Sequence, residues 1–156
     1  MALAAVVIVG TGVWGLTTSV PVLSVSGGKN GFIGRLSDGQ QLLYSYRQSI
    51  YEVTVWEEFV RDGDRLRLLS VEAEDIRAVE YFRWETPIRR QGDHFIAEAP
   101  PTDMKELVIR VAPGAEQRIQ CVRWSILLEE RFGDAVLTIR LERRPVLLAL
   151  ARGLVW

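Results

Sequence analysis

The stretch Leu42 to Phe59, LLYSYRQSIYEVTVWEEF, decides the fold, because it carries the longest consistent alternation in the chain. Its second half puts Tyr51, Val53, Val55 and Phe59 on one face of a strand, with Glu57 among them where a core residue is expected. Its first half puts Leu42, Tyr44, Tyr46 and Gln48 on one face of another strand. If the two pair as an antiparallel hairpin across an even-numbered loop, both sets fall on the same side of the sheet. A carboxylate and an amide then meet two tyrosine hydroxyls inside an apolar face. A carboxylate in that setting must be hydrogen-bonded or paired. Tyr44, Tyr46 and Gln48 are the expected donors, with Arg83 as the charged alternative.

Outward from this hairpin the chain reads as short strands separated by turns. Val20 to Ser26 alternates and ends at GGKNG. Phe32 to Leu36 follows, closed by Ser37-Asp38-Gly39, and the RDGDR turn leads from the hairpin into Arg65 to Glu74. That segment is apolar on both faces, with Leu66, Leu68 and Ser70 opposite Arg67, Leu69 and Val71, as suits a central strand. Asp75 to Glu85 breaks the alternation and gathers Tyr81, Phe82, Arg83 and Trp84. It reads either as a helical turn capped by Asp75 or as an irregular segment over the sheet. Further strands are expected at Ile88 to Arg90, Phe95 to Ala97, Glu106 to Ala112, Arg118 to Trp124, Ile126 to Phe132 and Ala135 to Glu142. The expected fold is mainly β: one domain, an antiparallel β-sandwich or barrel-like structure with an N-terminal apolar segment.

The domain limits follow from composition. No charged residue precedes Lys29, and residues 1–19 read as a signal peptide or an uncleaved membrane anchor. Residues 20–144 form the β domain. Residues 145–156, PVLLALARGLVW, are an apolar tail too short to span a bilayer, which docks on the domain or lies at a membrane surface. Localisation outside the cytoplasm is expected, either periplasmic or anchored to the inner membrane and facing the periplasm.

Composition excludes several functions. The 156 residues carry a formal net charge of -1, so no strong field recruits nucleic acid. Seventeen arginines outnumber two lysines, but they are scattered rather than clustered. Cys121 is the only cysteine and His94 the only histidine. Neither a disulfide nor a soft-ligand metal site can be assembled from them, and no cofactor is implied. Cys121 reads as a small buried hydrophobe, and His94 falls in the turn-like QGDHF. Phosphate-binding glycine motifs lack their strand-loop-helix context, and no G-x-S-x-G elbow is present. Glu57 is left as the chemically informative carboxylate, either a structural acceptor or a ligand contact. The candidate binding or interaction residues are Tyr44, Tyr46, Gln48, Ser49, Tyr51, Glu57, Tyr81, Arg83 and Trp84, and no catalytic residue is assigned.

At Tyr46-Arg-Gln-Ser-Ile-Tyr51 and Val55-Trp-Glu-Glu-Phe59 the sequence resembles a domain-of-unknown-function family of small exported proteins, often encoded beside TRAP transporters of the TAXI type. The likeness extends through EYFRW at Glu80 to Trp84 and on to Pro145. The family pattern is Tyr-x-His-Ser followed by Pro-Val-x-Glu-x-Phe. Tyr46, Ser49, Val55, Glu57 and Phe59 match it, whereas Gln48 stands for histidine and Thr54 for proline. The resemblance implies an envelope location and an accessory or interaction role, with TRAP transporter membrane or solute-receptor subunits as partners. It brings no catalytic residue. A small-ligand-binding module of the cell envelope and a carboxylate-dependent enzyme are the alternatives.

Overall fold

A computed structural model describes residues 18–151. The expected signal or anchor segment, apart from Thr18 and Ser19, lies outside the described residues, as does the end of the apolar tail. Strands account for 55% of the described residues and helices for 12%, so the protein is mainly β. All strand pairings are antiparallel, and the sheets do not close into a barrel.

The hairpin forms as its alternation requires. Strand β3 (Gln41–Gln48) pairs with β4 (Val53–Asp62) across the four-residue turn 49–52, with Tyr44 opposite Glu57, Tyr46 opposite Val55 and Leu42 opposite Phe59. It lies at the centre of the larger sheet, whose main path runs β11-β10-β3-β4-β5-β7-β6. Its other members are β5 (Arg65–Ala73), β6 (Ile88–Gln91), β7 (His94–Glu98), β10 (Arg118–Gln120) and β11 (Ser125–Leu127), with β8 (Asp103–Met104) paired to the start of β5. The smaller sheet has the order β2-β1-β12-β9, from β1 (Ser19–Gly27), β2 (Asn30–Arg35), β9 (Glu106–Arg110) and β12 (Val136–Pro145).

The inner face of the larger sheet is covered in two parts. Leu42, Tyr44, Phe59, Leu66 and Ile119 share one core with Leu23, Val25, Phe32, Leu137 and Ile139 of the smaller sheet. Val55, Val71, Ala73 and Ala97 are covered instead by Ala78 and Val79 of helix α1 (Ile76–Glu80), with Phe82 and Trp84 packed alongside. Tyr46 packs against both clusters. The smaller sheet also gives a seat to Trp124. Its ring packs on Phe32 at 5.0 Å, its indole N–H donates to the Arg35 carbonyl at 2.9 Å, and a Cβ at Gly34 would collide with it.

Several expectations are corrected. In β5 the inner face is Leu66, Leu68, Val71 and Ala73, because a β-bulge leaves Leu69 as an extra residue between the pairs Phe59–Leu68 and Glu58–Ser70. Strict alternation had put Ser70 with Leu66. The segment Ile126 to Phe132 is not one strand: after Leu127 it turns into helix α2 (Leu128–Phe132), which buries Leu128 and Phe132 one turn apart and stops at Gly133 with φ 64°. The expected strand from Arg118 ends at Gln120. Asp75 caps α1 by accepting from the Arg77 N–H at 2.9 Å, so the helical alternative for that segment is the observed one. Helix α3 (Val146–Ala151) opens the apolar tail. Cys121 is half-buried rather than fully enclosed, and His94 starts β7 rather than sitting in a turn.

Candidate functional site

Glu57 occupies the seam between the two apolar clusters of the inner face. Its neighbours on that face of β4 belong one to each cluster, Val55 to the part under α1 and Phe59 to the part shared by the sheets. Glu57 itself is half-buried between them, and a polar pair is accommodated there. The pair is Glu57 with Tyr46. Burial raises the Glu57 carboxyl above its ordinary value, and the hydrogen bond from the Tyr46 hydroxyl partly offsets that rise. Burial also raises the Tyr46 hydroxyl, reinforced by the charge of Glu57 and its hydrogen bond. Tyr44 is pushed up to about 12, chiefly by burial, against the lowering effect of its hydrogen bond with Gln117. The carboxylate is therefore satisfied by one of the expected donors. Tyr44 is bonded elsewhere, and Arg83 lies exposed at φ 54° beyond the end of α1.

Tyr46 leads from this seam to an open cleft of about 450 Å³ at the turn end of the hairpin. One wall is Tyr46, Arg47, Gln48, Ser49 and Glu52; the other is Ala112 to Ala115 with Gln117. The second wall is held to the first by a backbone hydrogen bond from the Arg47 N–H to the Ala115 carbonyl at 2.7 Å. Gln117 is buried and organises that wall. Its carbonyl oxygen accepts from the Ala112 N–H at 2.9 Å, and its amide donates to the Tyr44 hydroxyl at 2.8 Å and to the Arg110 carbonyl at 2.9 Å. Nothing in the sequence singles out Gln117, which follows the Pro113-Gly114 turn where no periodicity operates.

Gln48 faces it with the opposite property. It is 8% exposed, and its Oε1 is the one buried side-chain polar atom without a hydrogen-bond partner among the described residues. An acceptor in that state forfeits hydration without compensation. Backbone strain gathers at the same place. Among the described residues, two of the three non-glycine residues with a left-handed backbone are Glu52, φ 56°, in the cleft wall, and Glu116, φ 51°, next to Gln117. Held conformations of this kind cost free energy and cluster at binding sites.

Of the nine candidate residues, Tyr46, Gln48 and Ser49 line the cleft. Tyr44 and Glu57 stand behind it, through Gln117 and Tyr46 respectively. Tyr81 is exposed and is not a wall residue of the cleft. Tyr51 packs toward α1 and carries the Arg77 guanidinium over its ring at 5.0 Å. Trp84 packs on Phe82 at 5.0 Å and closes the second cluster. No group of three or more histidine, cysteine or carboxylate side chains that could hold a metal ion occurs among the described residues. On the outer face of the larger sheet His94 stacks on Trp56 at 5.0 Å, and its Nδ1 is paired with Glu72. The single histidine is thus far from free to serve the cleft.

Fold and site together define a mainly β, two-sheet protein with a polar cleft at one end of its central hairpin. Compared with known proteins, the sequence matches no family model, and neither the curated proteins nor the solved structures give a match.

Proposed function

We propose that the chain is a non-enzymatic, exported accessory or interaction domain of the β-sandwich type, whose cleft at the hairpin turn takes a small polar ligand. The observation that carries this reading is the unpartnered Oε1 of Gln48 in a cleft-lining residue. A ligand amine, amide or hydroxyl supplies the donor the protein lacks, once the Gln48 side chain turns its carboxamide toward the cleft. The volume is in the range of small-molecule sites. Tyr46, Ser49 and the backbone around Gly114 offer further polar contacts. Glu57 holds Tyr46 from behind and is not a wall residue, which favours binding over carboxylate-dependent catalysis.

The resemblance at Tyr46 to Phe59 supports TAXI-type TRAP transporter subunits as the partner, since its matching residues include two wall residues, Tyr46 and Ser49, and the supporting Glu57. The uncharged first 28 residues support export or anchoring in the inner membrane, with the domain facing the periplasm. The test is a thermal-shift screen of the full chain and of Gln48→Leu against amino acids, amides and polyols. At least one compound should raise the Tm of the wild type and leave Gln48→Leu unmoved. Equal stabilisation of both proteins would remove Gln48 from the site. Co-purification with TAXI-type TRAP transporter subunits tests the partner, and its failure would confine the reading to ligand binding.

A further inference from the structure

The two ends of the described chain meet. Ser19 pairs with Pro145, and the Val146 N–H at the start of α3 donates to the Thr18 carbonyl at 3.0 Å. One side of α3 packs on the smaller sheet, where Ala149 is fully buried against Val22 and Ile33 on the face turned away from the main core. The other side is apolar and bare. Leu147 is 41% exposed, Leu148 53% and Leu150 47%. Three exposed leucines on a six-residue helix make a local apolar patch of the kind that marks a contact surface.

What covers them is indicated by the chain that precedes Thr18. Its seventeen residues carry no charge, and as a helix they would extend about 26 Å, near the thickness of a bilayer's hydrocarbon core. Thr18 is bonded to the first residue of α3, so a membrane holding that segment lies within reach of the leucines. The flanking arginines are engaged within the protein, Arg144 in an ion pair with Glu142 at 2.6 Å and the exposed Arg143 donating to Ser19 Oγ at 3.2 Å, so the contact offered to a bilayer is the apolar one of the leucines. No helix among the described residues is long and apolar enough to cross a membrane, and α3, at about 9 Å, is of a length to lie on one.

We propose that Leu147, Leu148 and Leu150 rest in the surface of the same lipid bilayer that receives residues 1–17, so that α3 is a second membrane contact which orients the domain. The inference rests on the anchoring reading given above. It also bears on the position of the ligand cleft. The cavity at the far end of β4 is lined by Arg61 and Gly63 together with Pro21 and Arg143, which places that end beside the root of α3. The turn 49–52 is at the opposite end of β4, about 33 Å away for ten extended residues. The cleft therefore lies at the end of β4 opposite to the one beside α3.

The test uses the full chain with Cys121→Ala, labelled with an environment-sensitive fluorophore at Leu148→Cys or, as control, at Ile50→Cys in the exposed hairpin turn. Each protein is mixed with phosphatidylcholine–phosphatidylglycerol vesicles containing acyl-chain-brominated lipid. The label at 148 should be quenched severalfold and the label at 50 not at all. Failure of both proteins to float with the vesicles overturns the anchoring reading and this inference with it. Flotation with equal signals at 148 and 50 overturns the inference alone and leaves the anchor standing. A label at 148 already shielded from aqueous iodide before vesicles are added means that another part of the chain covers α3, which also overturns it.

Discussion

The two walls of the cleft each bury a glutamine, and the two residues are in opposite states. Gln117 is 6% exposed and uses its carbonyl and its amide on three partners; Gln48 is 8% exposed and has a carbonyl oxygen with none. Equal burial of the same side chain separates a residue that builds the structure from one that the structure supports at a cost. The loop wall owes its shape to Gln117, because a loop without a ladder must satisfy its backbone groups through side chains. The hairpin wall has its shape from the β3–β4 ladder and does not need Gln48 for it.

The largest expected effect comes from removing the structural glutamine. Gln117→Leu strands the Ala112 N–H, the Arg110 carbonyl and the Tyr44 hydroxyl, and should lower stability by roughly 2–4 kcal/mol in a denaturant melt. A loss near zero would mean that the loop wall reorganises at no cost and that the contrast between the walls is false.

A pH series of melts sharpens the contrast at the seam. Because burial raises the Glu57 carboxyl, the folded protein keeps its proton at pH values where the unfolded chain, with an ordinary value of 4.5, has lost it. The stability contributed by that proton is complete below about 4.5 and is lost as pH rises through the folded value. Glu57→Gln, which keeps an acceptor for Tyr46, should remove this loss, so that the mutant gains on the wild type as pH climbs and the gap then stays constant. Parallel curves for the two proteins would mean that Glu57 titrates as an exposed group.

The smallest effect concerns strain. Glu52→Gly relieves a left-handed backbone at φ 56° but adds freedom to the unfolded chain, and the two should nearly cancel, to within about 1 kcal/mol. A loss well beyond that would assign the Glu52 side chain a structural contact in the turn.

How far the sequence discloses this arrangement depends on which force acts at each residue. Alternation alone places Tyr44, Tyr46, Gln48 and Glu57 on one face, and the register of β3 with β4 agrees because a four-residue turn preserves parity. The need of a buried carboxylate for a donor points to Tyr44, Tyr46 and Gln48 together, and which of the three serves it depends on the layers that cover them. Burial of Gln48 follows from the same parity, but its lack of a partner does not, since that depends on a loop more than sixty residues away. Gln117 lies in that loop, where no period constrains side-chain direction. The bulge at Leu69 is hidden because β5 is apolar on both faces, so either parity looks acceptable. In Ile126 to Phe132 the apolar run fits a strand as well as a helix, and only the burial of Leu128 and Phe132 on one side decides it. The seam around Glu57 is a property of two covering layers that no single stretch encodes.

The central claim is that the Gln48 carboxamide serves a ligand and not the fold, and a denaturant melt of Gln48→Leu without ligand tests it most directly. Replacing an unpartnered buried acceptor by an apolar side chain of similar size should leave stability unchanged or raise it by up to about 1 kcal/mol. A loss of 1 kcal/mol or more would show that Gln48 has a structural partner in the folded protein, and the two walls of the cleft would then be alike.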